Sequence, residues 1–219
     1  MVHTLTEENY LKAIFRISQN ADVKITPTAI AEMLKNNPAS VIDMIKKLSD
    51  KKLIDYDKRE GVKLTGSGLN DAIQIVRKHR LWEVFLLEKL NYNWDEIHDI
   101  AEELEHIQDD TLADRLDKFL GFPEYDPHGD PIPKANGKVP KSFSVTLANV
   151  KDGATCRVAA VKDTSSTFLQ YLLKLNIGIG TSIRLVEKIP FDNSLVISIG
   201  GKEKTTVSQK FGENILVDE

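Results

Sequence analysis

The spacing of hydrophobic and polar positions changes twice along the chain and predicts three regions of different structure. In the first region, apolar residues recur at helical spacing in three segments that begin near Thr6, Thr26 and Pro38. Two short segments, 53–56 and 62–65, then surround a polar turn and predict a β-hairpin. Three helices followed by a hairpin are typical of a winged helix-turn-helix, to which we assign residues 1–73.

In a winged helix-turn-helix the third helix enters the major groove of DNA. Its N-terminal residues are small or polar, and we expect them to face base edges: Pro38, Ala39, Ser40 and Asp43. Basic residues follow on the helix and on the wing, where phosphates would pass: Lys46, Lys47, Lys51, Lys52, Lys58 and Arg59. Winged helices also serve as protein-docking modules, which is the alternative interpretation.

The second region, 74–142, is predicted to contain two long helices joined around residues 91–94, followed by a segment rich in proline and glycine from 121 to 141. The first helix has more apolar residues than one amphipathic face needs: Leu81, Trp82, Val84, Phe85, Leu86 and Leu87. This excess favours a second subunit and hence a homodimer, with core packing as the alternative.

The candidate metal ligands lie on these two helices. On the second, His98, Glu102, Glu105 and His106 fall within an arc of about 100°, next to an apolar arc that would face a core. On the first, His79 and Glu83 are one turn apart. Imidazole and carboxylate groups beside a buried face are costly unless a divalent cation neutralises them, although acidic helices are often simply solvated. The pattern indicates a metal site with nitrogen and oxygen ligands and no thiolate.

The third region, 143–219, shows the short alternating segments of a small β domain. Strands are predicted at 145–147, 155–161, 182–186, 195–199 and 205–207, with one helix at 167–175. We expect an SH3-like β-barrel, and the fold class of the whole chain is mainly α with a small β domain.

Composition adds a cellular context and excludes a membrane span. The 219 residues are 41% hydrophobic and 28% charged, which is ordinary for a globular protein, and no apolar stretch approaches the roughly 18 residues of a membrane helix. Cys156 is the single cysteine and the N-terminus does not resemble a signal peptide, so we expect a cytoplasmic protein. Residues 95–117 hold ten acidic residues and one basic, whereas residues 46–63 hold seven basic and four acidic. This segregation suits separate cation-binding and anion-binding regions.

The order of these regions, together with several short motifs, resembles the diphtheria-toxin-repressor family of metal-dependent transcriptional regulators. The motifs that carry the resemblance are residues 77–81 (RKHRL), 96–98 (EIH), 102–106 (EELEH) and 126–133 (DPHGDPIP). The resemblance covers nearly the whole chain. It implies domains at 1–73 for DNA binding, 74–142 for dimerisation and metal binding, and 143–219 for an SH3-like domain of the FeoA type.

The resemblance also implies two metal positions per subunit. His79, Glu83 and His98 would form an ancillary site, and Glu102, Glu105 and His106 the primary site, completed by Asn9 on the first helix. Glu102 stands where iron sensors have a cysteine, which favours Mn²⁺ over Fe²⁺ as the activating ion. The barrel positions that supply ancillary ligands in iron sensors fall here on Ser165 and Phe168, so either water closes that site or Asp163 or Gln170 supplies a ligand. His128 is interpreted as a loop residue.

These expectations define a metal-activated regulator, most simply a repressor of metal-ion homeostasis that binds a palindromic operator in double-stranded DNA as a homodimer. The alternatives are an Fe²⁺-responsive repressor and a winged-helix adaptor with a structural metal. An enzyme is not expected: the chain lacks a His-Glu-x-x-His motif, and its Glu-x-x-His motif is a single copy, whereas a di-iron bundle needs two.

Overall fold

The computed structural model describes residues 3–19, 23–109, 111–201 and 204–218. The helices are α1 (Leu5–Ser18), α2 (Pro27–Leu34), α3 (Pro38–Asp50), α4 (Gly66–Leu90), α5 (Ile97–Leu104), α6 (Leu112–Phe119), α7 (Ser166–Lys174) and α8 (Gln209–Glu213). The strands are β1 (Ile54–Asp57), β2 (Gly61–Leu64), β3 (Thr155–Val161), β4 (Ser182–Lys188), β5 (Leu195–Ile199), β6 (Lys204–Val207) and β7 (Ile215–Asp218). No helix in the described ranges is long and apolar enough to cross a membrane.

The chain divides into two compact units. The first contains the chain up to Trp82 together with Glu102–Phe119 and Pro133–Val139, and the second contains the remainder. Helix α4 therefore contributes to both units.

The first unit contains the predicted winged helix-turn-helix. Helices α1, α2 and α3 and the antiparallel hairpin β1–β2 enclose an apolar core with fully buried residues from each helix, among them Leu11, Ile14, Ile30, Ile45 and Leu48. Pro38 begins α3 at the position where a missing N–H costs nothing, and the Asn37 side chain caps that end.

The first helix begins slightly earlier than the sequence suggested. Thr4, not Thr6, is its N-cap: the Thr4 hydroxyl accepts a hydrogen bond from the Glu7 N–H, and the Glu7 carboxylate accepts one from the Thr4 N–H. This reciprocal pair is a capping box, which fixes the start of α1.

The prediction of a second long helix in region 74–142 is wrong, because two short helices occupy that segment. Helix α5 ends at Leu104 after eight residues, and a separate helix, α6, begins at Leu112. The last turn of α5 has no basic residue and carries Glu102 and Glu103, so its carboxylates face the negative end of the helix dipole. Glu105 and His106 consequently lie in the turn that follows α5, not on the helix.

The second unit contains the small β domain. Its antiparallel sheet has the strand order β6-β5-β4-β3-β7 and buries residues such as Val158, Ile183, Leu185, Ile197 and Ile215. Four of the five predicted strands and the helix at 166–174 agree with the sequence analysis. Segment 145–147 is not a strand but a single bridge, Thr146 to Leu216, leading into a short 3-10 helix. Helix α8 and strand β7 were not predicted.

Candidate metal centre

The first turns of α1 direct three polar side chains into the interior of the first unit. Glu8 and Lys12 are each 4% exposed, and the Asn9 side-chain oxygen is buried. Glu8 and Lys12 are four residues apart and therefore lie on one face of the helix. The segment that follows α5 supplies the groups that meet them, because its turn brings Glu105 and His106 toward α1.

Lys12, Glu102, Glu105 and His79 form a compact cluster. The Lys12 Nζ lies 2.5 Å from Glu102 Oε1 and 2.6 Å from Glu105 Oε2. His79 Nδ1 lies 2.7 Å from Glu105 Oε2 and 3.3 Å from Lys12 Nζ. Glu105 is fully buried, whereas the Glu102 side chain is 35% exposed, so the cluster is open to solvent on the Glu102 side. The donor atoms of His79, Glu102 and Glu105 lie within 4.8 Å of one another, close enough to hold one metal ion.

His106 lies on the other side of Glu105. Its Nε2 is 3.7 Å from Glu105 Oε1, and its Nδ1 is 2.5 Å from Glu8 Oε2. Gln108 donates a hydrogen bond to the second Glu8 oxygen at 2.8 Å. A carboxylate on one imidazole nitrogen fixes the ring orientation and raises the basicity of the other nitrogen, which is how metal-binding histidines are commonly supported.

Two buried oxygen atoms in this region are suited to bind a cation. Among the described residues, Asn9 Oδ1 and Glu105 Oε1 have no hydrogen-bond partner. An unpartnered buried acceptor costs roughly 1–3 kcal/mol, so such atoms call for an explanation. Both are hard oxygen donors of the kind that Mn²⁺ binds, and the imidazole of His106 is a further suitable ligand. The residues present therefore fit a divalent metal ion.

The second unit contains another candidate group, which the sequence analysis did not assign. Glu83, Asp126 and His128 are all buried and can bring one ligand atom each within 4.8 Å of the others. His128 Nδ1 lies 3.6 Å from Glu83 Oε1, and His98 Nδ1 lies 3.2 Å from that same oxygen. His128 is indeed in a loop, as expected, but it is 2% exposed. The signal in the sequence was the motif Asp126-Pro127-His128, which places a carboxylate two residues before an imidazole.

The loop that holds His128 is tightly fixed. Asp126 Oδ1 accepts hydrogen bonds from the backbone N–H groups of His128 and Asp130, and the His128 carbonyl accepts one from Val161 on β3. The His128 ring stacks on Trp94 with ring centroids 5.7 Å apart. Such a loop presents its imidazole in one orientation.

The predicted ancillary ligands are divided between the two units. His79 belongs to the first, while Glu83 and His98 belong to the second. Gln170 is engaged elsewhere: its amide donates to Asp95 Oδ2 at 2.8 Å, and this hydrogen bond, with one from Ser166, lowers the pKa of the Asp95 carboxyl. The grouping of His79, Glu83 and His98 as one site stays a prediction.

The predicted DNA-contacting residues lie at the surface of the first unit. All eight are exposed: Pro38, Ala39, Ser40, Asp43, Lys46, Lys47, Lys58 and Arg59. Lys46 pairs only loosely with Asp43, at 3.3 Å. Lys47 instead lies 3.1 Å from the buried Glu7 carboxylate, which also binds Lys51 at 2.7 Å. Burial alone would raise the pKa of Glu7, but the hydrogen bonds from Lys51, the Thr4 N–H and Lys47 outweigh it and lower the pKa to about 2.

Each of the three regions of the chain matches the model of a known domain family. Residues 3–62 match the N-terminal DNA-binding domain of iron-dependent repressors, residues 65–134 their metal-binding and dimerisation domain, and residues 145–219 the FeoA domain. A solved manganese-dependent transcriptional repressor in complex with manganese is 35% identical, with a TM-score of 0.87 and coverage of 96% of this chain and 98% of that one. This protein belongs to the diphtheria-toxin-repressor family.

One further relative is named for iron and matches nearly the whole chain, whereas another matches only about a third of it. The iron-dependent repressor IdeR of Mycobacterium leprae is 27% identical over 232 residues, covering 98% of this chain and 97% of that protein. A probable metal transport system membrane protein of Chlamydia trachomatis is 47% identical over 75 residues, which are 34% of this chain but only 17% of that protein. The family assignment and the mainly helical fold with a small β domain are thus confirmed. Manganese and iron both appear in the names of these similar proteins.

Proposed function

We propose that this protein is a Mn²⁺-responsive transcriptional repressor that binds a palindromic operator as a homodimer. The observation that carries the choice of metal is the donor set at α1 and the turn after α5: Asn9, Glu102, Glu105 and His106 offer oxygen and imidazole nitrogen. The chain's one thiol, Cys156, is buried in β3, and its Sγ contacts the Ile183 carbonyl. Hard oxygen ligands suit Mn²⁺, whereas thiolate would favour softer ions.

The function of these residues follows from what they connect. Asn9 and Glu8 lie on α1, and Glu102, Glu105 and His106 lie in the segment at the end of α5. A bound divalent ion supplies the positive charge that these carboxylates need in a buried site. Ligands drawn from both segments tie α1 to the end of α5 and so restrict the positions that α1 can adopt.

Helix α1 passes this restriction to the DNA-binding surface. It packs on α2, α3 and β2, and Glu7 on its first turn binds Lys47 and Lys51 at the end of α3. A shift of α1 therefore moves the helix proposed to enter the major groove. In a homodimer two such helices must match half-sites about 34 Å apart or a multiple of that distance, so fixing α1 favours the DNA-bound arrangement. A 100-fold change in operator affinity requires only about 2.7 kcal/mol of coupling.

A second ion position at Glu83, Asp126 and His128 completes the proposal. It supplies two carboxylates and one imidazole from a rigid loop and from α4. Gln170, which is bound to Asp95, is not needed as a ligand in this set.

The experiment is a titration of metal into chelated protein, followed by the fluorescence anisotropy of labelled DNA from the region upstream of its own gene. We expect tight, chelator-reversible binding with Mn²⁺. A response to anaerobic Fe²⁺ but not to Mn²⁺ would make the protein an iron sensor. Failure with Mn²⁺, Fe²⁺ and Zn²⁺, both on this DNA and in a random-sequence selection, would favour the adaptor alternative.

The variant Glu105→Gln tests the site within the same assay. It removes one charge from a fully buried carboxylate and should abolish metal-dependent DNA binding while leaving the dimer intact in sedimentation experiments. Glu103→Gln is the matched control, because Glu103 is exposed two residues away and loses the same charge. Operator binding that still requires metal in Glu105→Gln would contradict the site assignment.

A further inference from the structure

The Lys12 ammonium lies where a cation of the His79–Glu102–Glu105 group would lie. Its Nζ is within 3.3 Å of one donor atom from each of the three residues. The Lys12 side chain is 6% exposed, so these contacts form a buried cluster and not a surface ion pair. Lysine at this position brings a positive charge into a cluster of metal-ligand candidates, and an ammonium group has no lone pair with which to bind a metal ion.

We propose that Lys12 is an internal counter-cation of the metal centre, which stabilises the metal-free protein and sets the metal concentration at which it responds. This inference rests on the proposed function, since it concerns the same site. In the metal-free protein the ammonium neutralises much of the repulsion between Glu102 and Glu105. These two carboxylates are therefore held together before any ion arrives.

The two cations compete for Glu102. A divalent ion and the Lys12 ammonium together would carry more positive charge than Glu102 and Glu105 carry negative charge. Like charges this close in a buried site repel strongly, because the effective dielectric constant is far below that of water. The contact between Lys12 and Glu102 must therefore break as that carboxylate turns to the ion.

The geometry indicates where the exchange occurs. Glu102 is the partly exposed member of the pair, and it can rotate away from Lys12 without disturbing the core. Glu105 uses Oε2 for Lys12 and His79, while its Oε1 faces His106 and has no hydrogen-bond partner among the described residues. Glu105 can thus accept an ion on Oε1, and the competition is decided at Glu102.

Lys12 also couples this exchange to DNA binding, because it belongs to α1. Loss of the contact between Lys12 and Glu102 releases α1 from the end of α5 at one point, while Asn9 and the other ligands form new contacts there. Lys12 is accordingly a positioning residue that selects between two arrangements of α1.

The decisive measurement is the affinity for Mn²⁺ of the full-length chain with Lys12→Met, which keeps the aliphatic stem and removes the charge. Free Mn²⁺ is measured by electron paramagnetic resonance, without DNA. We expect Lys12→Met to bind about tenfold more tightly or better than wild type, because a charge within about 4–6 Å commonly changes an ionic equilibrium by a factor of 10 to 1000. The thermal unfolding midpoint of the metal-free variant should fall and should recover when Mn²⁺ is added.

Lys118→Met is the matched control: Lys118 is exposed on α6 in the same unit, and its loss changes the net charge equally. It should change neither quantity. Equal or weaker Mn²⁺ binding by Lys12→Met, with wild type binding normally, would overturn the role of Lys12 and leave the proposed function intact. A wild-type chain that binds no Mn²⁺ would overturn both.

A measurement on wild type covers the case in which Lys12→Met does not fold. Amine-reactive labelling read by mass spectrometry should show Lys12 protected in the metal-free protein and more reactive after Mn²⁺ is added, relative to the other lysines. Protection that is unchanged by bound Mn²⁺ would show that Lys12 stays in place and would overturn the proposal.

Discussion

The Glu8 carboxylate lies 2.5 Å from the Nδ1 of His106, although the two residues are 98 positions apart in the chain. This contact joins the first turn of α1 to the turn after α5. Because it leaves His106 Nε2 directed toward Glu105, it orients the imidazole for the proposed metal site. Glu8 was not among the residues singled out from the sequence, where it is one of two adjacent glutamates in a helix start.

Loss of this carboxylate should weaken metal binding. In Glu8→Ala the His106 ring loses the acceptor that fixes its orientation, and supporting partners of this kind are worth about 10- to 100-fold in metal affinity. Isothermal titration with Mn²⁺ measures the change. Glu32→Ala, which removes an exposed glutamate from α2, is the control. An affinity equal to wild type in Glu8→Ala would show that the contact has no such role.

Lys46 should contribute to DNA binding through phosphate and not through base sequence. It is exposed on α3, with a loose ion pair to Asp43 as its contact. Lys46→Ala should weaken binding to all sequences alike and should reduce the slope of log K against log salt by about 1. The slope is obtained from anisotropy titrations between 50 and 200 mM salt. An unchanged slope, with Lys118→Ala as the reference, would remove Lys46 from the interface.

Gly129 should be irreplaceable in the loop that holds His128. Its φ is +87°, and an added Cβ would come within 2.1 Å of the Ala159 carbonyl oxygen. Gly129→Ala should lower the stability of the second unit by about 1–3 kcal/mol or more, seen as a lower thermal unfolding midpoint. Gly153→Ala isolates the cause, because Gly153 lies in the same unit and has a similar φ of +81° but open space around its Cβ. Equal effects of the two substitutions would show that backbone strain alone, and not the close approach, matters.

His128 should be required for the second metal ion. It is buried beside Glu83 and held by stacking on Trp94, so His128→Ala removes the one imidazole of that group. We expect the Mn²⁺ stoichiometry to fall from about two to one per subunit in equilibrium dialysis, with the primary site retained. His3→Ala, at a histidine that contacts Asp71, is the control. Two ions bound to His128→Ala would refute the second position.

The sequence predicted local structure well where a single physical rule governs it. Helical spacing, the proline that begins α3 and the hairpin turn identified the winged helix-turn-helix. The prediction of a helix through Glu105 and His106 was wrong. The spacing of residues reveals an apolar face, but it does not show the free-energy cost of carboxylates at the C-terminal end of a helix. Strand β7 was not predicted because it is stabilised by its pairing with β3, a long-range contact that the sequence of the short segment 215–218 does not reveal.

The sequence by itself determined which ligand groups are available to this protein, because carboxylates, imidazoles and a single cysteine are properties of composition and spacing. It also determined the family, through motifs that are local in the chain. Only the tertiary structure decided which groups meet. It placed Glu8 on His106, Lys12 between Glu102 and Glu105, and His128 beside Glu83, since contacts over tens of residues depend on how helices and loops pack and not on any local pattern.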